Sequence, residues 1–104
     1  MDVALRALAD RHRREILRLV RRDELPAGEI AAHFAVTRPA ISQHLRVLKE
    51  AGLVTERREG TRRLYRARAE TVEDLRRFLD EFWSERLERL RDVAEMNQRV
   101  KEKG

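Results

Sequence analysis

The sequence predicts a mainly helical domain with one small β-hairpin. Three observations predict it: apolar residues recur at three- and four-residue spacing through most of the chain, Pro39 and Gly52 bracket one short helix, and a single β-branched, arginine-rich stretch turns back on itself around Gly60.

At 104 residues the chain is one domain at most. A domain of that length buries only about two-thirds of its unfolded surface, so cover from a second copy would help. Charged residues make up 41% and hydrophobic residues also 41%, the latter in periodic blocks that set the chain apart from a disordered one. No run reaches the roughly 18 apolar residues of a membrane span. The opening MDVALRALADRHRRE lacks the basic-then-apolar order of a signal peptide, so no membrane partner and a cytoplasmic location are expected. The absence of cysteine removes disulfides, thiolate metal sites and cysteine nucleophiles together. Ser42 and Ser84 have no Asp-backed histidine near them, and phosphate loops and metal-hydrolase motifs are missing, so no enzyme is expected. Residues 1–70 carry 16 Lys or Arg against 10 Asp or Glu, while residues 71–104 carry 8 against 9. A basic body on a charge-balanced tail suits a polyanion binder with a second element doing something else.

Residues 3–9 form a short apolar helix. Asp10 caps the next one, DRHRREILRLVRR, whose Ile16, Leu17 and Val20 make the inward stripe. Residues 23–28, DELPAG, read as a loop because Pro26 and Gly28 punctuate them. Residues 29–34, EIAAHF, form a compact helix with Ile30 and Phe34 on one face, and a three-residue turn leads into TRPAISQHLRVLKEAGLV. There Thr37 is a good N-cap and Pro39 lies in the first turn; Arg38 is the alternative cap, since a residue before proline avoids helical backbone. Ile41, Leu45 and Leu48 repeat at i, i+4 and i+7 and face the core, leaving Arg38, Ser42, Gln43, Arg46 and Lys49 on the other side. Gly52 ends the helix.

Residues 53–58 and 63–68 are the hairpin strands, with six arginines between positions 57 and 68. After an N-cap signature at 71–74, residues 72 to about 100 form one uninterrupted helix. It carries Leu75, Leu79, Phe82, Trp83, Leu87, Leu90, Val93 and Ala94 along one face. At 1.5 Å per residue it is about 43 Å long, more than a small body needs for its own cover. Residues 101–104 are expected to fray. The organisation expected is a single domain, 1–104, with a body at about 1–70 and a long C-terminal dimerisation helix at about 71–100.

A short helix braced from behind, with its polar face free, fits the B-DNA major groove, whose ~12 Å width admits one helix. Arg38 suits a bidentate pair with guanine, Gln43 with adenine, and Ser42 a base edge or a phosphate. Arg46 and Lys49 lie further along, where phosphates pass. Thr37 and Pro39 complete the surface at the helix start, and hairpin arginines Arg58, Arg62 and Arg63 reach the adjacent backbone or minor groove.

The run GEIAAHFAVTRPAISQHLRVLKEAGLVTERREGTRRLYRA, with LADRHRREIL upstream, resembles the ArsR-type winged helix-turn-helix transcriptional repressors over about residues 4–95. The resemblance implies a dimeric bacterial DNA-binding protein whose first and last helices form the dimer interface, and whose repression is relieved by some signal. On this chain the interface would be Val3, Leu5 and Leu8 with Leu79, Phe82, Trp83, Leu87 and Leu90. The operator would be an inverted repeat in double-stranded DNA.

Two departures from the family bear on sensing. Thiol-sensing members carry cysteines in the stretch aligned with residues 24–30, where this chain has Pro26 and Gly28. Zinc- or nickel-binding members use an Asp/His/Glu set on the final helix; here Asp80, Glu81, Glu85, Glu88 and Asp92 have no histidine among them. No metal and no cofactor are expected. The tail carboxylates instead suit helix pairs such as Glu85 with Arg89 and Glu88 with Arg91. His12 and His33 lie on separate helices without ligand spacing, and His44 borders the buried face, where a scaffold hydrogen bond is expected. Two rival readings keep the fold: a protein-interaction module docking through the same face, and a non-specific architectural DNA-binding protein.

Overall fold

The computed structural model describes residues 1–103, with side chains through residue 97. The chain divides into two compact units, residues 1–73 and residues 74–104.

The first unit opens with α1 (Asp2–Ala7) and α2 (Arg11–Arg22). Asp10 caps α2 as expected, its carboxylate accepting the Arg13 amide at 3.1 Å. Arg13 turns its guanidinium the other way, donating to the carbonyls of Ala7 and Arg6 at the end of α1, the latter already accepting the Ala9 amide at 3.2 Å. Arg14 does the same for Leu8 at 2.8 Å, so two arginines fix the corner between the helices.

Residues 23–28 are not simply a loop. Leu25–Pro26 forms a short strand, β1, paired antiparallel with the second hairpin strand through Leu25↔Tyr65 and Pro26↔Leu64. Proline is tolerated because β1 lies at the edge of the sheet, where one side of the backbone needs no partner. The following helix, α3 (Ala27–Ala31), starts two residues before the expected position. Pro26 stands at its N-cap with ψ 154°, so the residues that signalled a loop begin a helix instead. Residues 32–34 close it with tighter bonds, His33 N–H to Ile30 and Phe34 N–H to Ala31.

Helix α4 (Arg38–Glu50) is capped by Thr37, whose hydroxyl accepts the Ala40 amide at 3.3 Å. This decides between the two cap candidates. At the other end Gly52 takes φ +75°, and the amides of Gly52 and Leu53 return to Lys49 and Leu48, both at 3.0 Å. That is the Schellman pattern, completed by the apolar pair Leu48 and Leu53, both fully buried. The hairpin follows as β2 (Val54–Glu59) and β3 (Arg62–Ala67), each one residue displaced from expectation. Glu59 faces Arg62, leaving Gly60-Thr61 as a two-residue turn with Gly60 at φ +63°. The sheet order is β1-β3-β2.

The core gathers Ile16, Leu17 and Val20 of α2, Ile30 of α3, Ile41, Leu45 and Leu48 of α4, and Leu53, Val54 and Leu64 around the hairpin. Helix α4 packs against α1, α2, α3 and β2. Each fully buried aliphatic side chain contributes about 1.5–3 kcal/mol relative to exposure, so the three on α4 fix its rotation about its own axis.

Helix α5 (Ala69–Lys103) begins two residues before the expected signature, with the Arg68 carbonyl accepting the Val72 amide at 3.1 Å. It is helical to Lys103; residue 104, the end of the stretch expected to fray, lies outside the described residues. In the second unit Phe82, Trp83, Leu87, Leu90, Val93 and Met96 are all exposed, Leu87 and Leu90 by 62% and 64%. Phe82 and Trp83 meet edge to face at 5.8 Å, with Arg86 over the Phe82 ring at 5.4 Å. Arg76 pairs with Asp80 at 3.3 Å. Among the described residues Glu85 and Glu88 form no ion pair, contrary to expectation; an exposed pair gains only about 0–1 kcal/mol, so spacing alone does not decide which of these pairs form. No described helix is long and apolar enough to cross a membrane.

Candidate nucleic-acid interface

The face of α4 opposite Ile41, Leu45 and Leu48 carries Arg38, Pro39, Ser42, Gln43, Arg46 and Lys49, all exposed. Thr37, also exposed, gives its hydroxyl to the helix cap. A cleft of about 350 Å³ brings Arg38 and Ser42 together with Arg62 and Arg63 of the hairpin, over the start of α3. There the Arg38 guanidinium lies over Gly28, within ordinary contact distance of where a Cβ would stand, 3.6 Å from Nη2. Four of the residues expected at DNA, from two elements, thus line one surface.

The cations on this surface differ in how they are held. Among the described residues Arg38, Arg46 and Arg58 have no carboxylate at ion-pair distance. Arg62 lies 3.7 Å from Glu29, both well exposed. Lys49 and Arg63 share one carboxylate, Glu56, at 3.2 and 3.6 Å. Glu56 also faces Tyr65 across the hairpin. Burial, then the Glu56 charge, push the Tyr65 phenol above its ordinary value.

Glu24 accepts a forked pair from Arg57, and that hydrogen bonding holds the Glu24 carboxyl below its ordinary value despite some desolvation. The same contact raises Arg57. Sequence reasoning singled out neither Glu56 nor Glu24. The available signal was Glu56, one of two acids with Glu59 in an arginine-rich hairpin, which the hairpin register sets opposite Tyr65.

Two of the three expected interface residues of α1 are less open than those of α5. Val3 is 60% exposed, whereas Leu5 and Leu8 are half-buried. On α5, Leu79, Phe82, Trp83, Leu87 and Leu90 are all exposed.

The histidines depart from expectation. His33 is exposed, but His12 and His44, 32 residues apart, stack with ring centroids 5.6 Å apart and share a cluster with Asp10. The scaffold hydrogen bond expected of His44 is missing at Nδ1, which is buried without a partner. Spacing along the chain hid this cluster because the packing of α2 on α4 creates it.

Comparison with known proteins agrees with this architecture. The profile of the bacterial regulatory protein arsR family matches residues 10–56. The HTH-type transcriptional regulator Rv2034 of Mycobacterium tuberculosis is 46% identical over 86 residues, which cover 83% of this chain and 80% of that one. The transcriptional repressor SdpR of Bacillus subtilis is 40% identical over 60 residues, 58% of this chain and 67% of that protein. Among solved structures, a homodimeric winged helix-turn-helix DNA-binding domain from Mycobacterium bovis, described as a possible ArsR-family transcriptional regulator, superposes with a TM-score of 0.67 at 34% identity. That match covers 81% of this chain and 78% of the other.

Proposed function

Since this chain belongs to the arsR family of bacterial regulatory proteins, DNA-binding regulators of transcription and not enzymes, we propose that it is a homodimeric repressor of an inverted-repeat operator. The observation that carries this reading is the rotation of α4. With Ile41, Leu45 and Leu48 at 0%, 1% and 0% exposure, Arg38, Ser42 and Gln43 are held toward solvent beside the hairpin arginines.

In this reading Arg38 and Gln43 read base edges, Ser42 takes a base edge or phosphate, and Thr37 and Pro39 set the helix start against the backbone. Arg46, Lys49, Arg58, Arg62 and Arg63 meet phosphate. A twofold axis places two copies of α4 in successive major grooves about 34 Å apart. The exposed stripe of α5, Leu79, Phe82, Trp83, Leu87 and Leu90, is covered by the second copy, as is Val3 with Leu5 and Leu8. The repressor name of one relative and the homodimer of another support the assignment. Its place of action is the bacterial cytoplasm, at the operator in the nucleoid.

Competition binding tests the reading. The chain should prefer a duplex from its own promoter over unrelated duplex by about a thousandfold or more, with affinity falling steeply as salt is added. Equal affinity for both duplexes would make it architectural, and salt-independent capture of a protein through this face would make it an interaction module.

A further inference from the structure

Three groups able to bind metal converge at the junction of α2 and α4, away from the cleft described above. The candidate ligand atoms of Asp10, His12 and His44 all lie within 4.8 Å of one another, with His12 Nδ1 and Asp10 Oδ1 at 3.8 Å. The His12 ring is held between His44, stacked at 5.6 Å and 25°, and the edge of Phe34 at 5.7 Å. Asp10 and His12 side chains are 33% and 32% exposed, which leaves a path from solvent.

We propose that Asp10, His12 and His44 bind a divalent transition-metal ion of the zinc class, with water completing a tetrahedral shell. Two imidazoles and one carboxylate suit such an ion and not calcium or magnesium, which take oxygen ligands. Tetrahedral bonds of ~2.0–2.1 Å set neighbouring ligand atoms about 3.3 Å apart, so the cluster must tighten by about 1.5 Å at most. Rotation of the partly exposed His12 supplies such a movement without shifting a helix.

Helix capping alone does not account for the cluster. A cap needs only Asp10, and a carboxylate with about four acceptor positions on its two oxygens keeps lone pairs free beyond those taken by the Arg13 and His12 amides. Capping explains neither why two imidazoles stack beside that carboxylate nor why His44 Nδ1 is buried without a partner, an arrangement that ordinarily costs about 1–3 kcal/mol. Metal coordination engages both. The site is separate from the loop at 24–30 and from the tail carboxylates, and it ties the start of α2 to the middle of the helix that presents Gln43.

Zinc titration of the untagged, chelator-stripped full chain tests this, read by calorimetry and by the histidine ring signals in NMR. One ion per chain should bind with micromolar affinity or better, shifting His12 and His44 and leaving His33 in place. Asp10→Asn keeps a good helix cap, so it should stay folded while weakening binding at least about tenfold. His12→Gln should do the same, and His33→Gln should change nothing. Absence of saturable binding at micromolar zinc, or equal binding by Asp10→Asn and His12→Gln, would overturn the site.

Discussion

Arg57 of β2 donates through Nε to both carboxylate oxygens of Glu24, at 2.9 and 2.8 Å, across 33 residues of sequence. A planar guanidinium on a carboxylate fixes direction as well as distance. The contact anchors the hairpin to the segment before β1 and turns one of its six arginines away from any ligand.

That fork makes part of the acid sensitivity local. Arg57 lowers the Glu24 carboxyl below its ordinary 4.5, so the stabilisation is present above the unfolded-state value and is lost as pH falls through the folded-state one. Urea unfolding followed from neutral pH downward should show this loss in the parent chain. Glu24→Gln should be less stable at neutral pH and lack that portion of the decline. Parallel curves for the two chains would show that the fork contributes nothing to the fold.

If Lys49 and Arg63 meet phosphate as proposed, Glu56, whose carboxylate they share, should restrain DNA binding. Replacing it by Gln leaves Lys49 and Arg63 without their shared carboxylate and should tighten binding to non-operator duplex by about two- to fivefold at low salt, the scale of one exposed ion pair. The gain should disappear at high salt, where surface charges are screened. Anisotropy titrations at two salt concentrations check this; weaker binding by the variant would contradict it.

Arg58, which among the described residues has no carboxylate at ion-pair distance, should act as a pure phosphate contact. Arg58→Ala should weaken operator and unrelated duplex alike and reduce the salt slope by about one. Arg57→Ala, with its guanidinium already committed to Glu24, should leave that slope unchanged. A larger slope change for Arg57 than for Arg58 would reverse these assignments.

The stripe on α5 gives a test of assembly. Trp83→Asp or Leu87→Asp, at positions more than half exposed in the single chain, should convert a dimer to a monomer in sedimentation velocity while the helical circular dichroism signal persists. A parent chain that sediments as a monomer at micromolar concentration would remove the basis of this prediction and of twofold operator binding.

Gly52 carries the turn that aims the hairpin. At φ +75° any other residue is strained, so Gly52→Ala should cost about 1–2 kcal/mol in urea unfolding. Unchanged stability would mean that the turn relaxes to another geometry.

The rotation of α4 was legible because its three core positions fall at helical spacing and its ends carry Thr37 and Gly52, which act locally. Residues 25–28 were misread because Pro26 and Gly28 signal a break in either setting; only pairing with Tyr65 and Leu64 turns the break into a strand followed by a helix. The Glu24–Arg57 fork, the Lys49–Glu56 pair and the meeting of Asp10 and His12 with His44 were illegible for a shared reason. Each joins residues that no local period relates, and tertiary packing alone sets their distances.

The most direct measurement of the central claim is a footprint of the parent chain and of the double variant Arg38→Ala, Gln43→Ala on the same promoter duplex. In the double variant the protected inverted repeat should lose its base preference, with about 1–3 kcal/mol lost for each bidentate contact, while non-specific affinity stays within the range of one lost phosphate contact. An unchanged footprint with unchanged base preference would contradict the central claim and move recognition off α4.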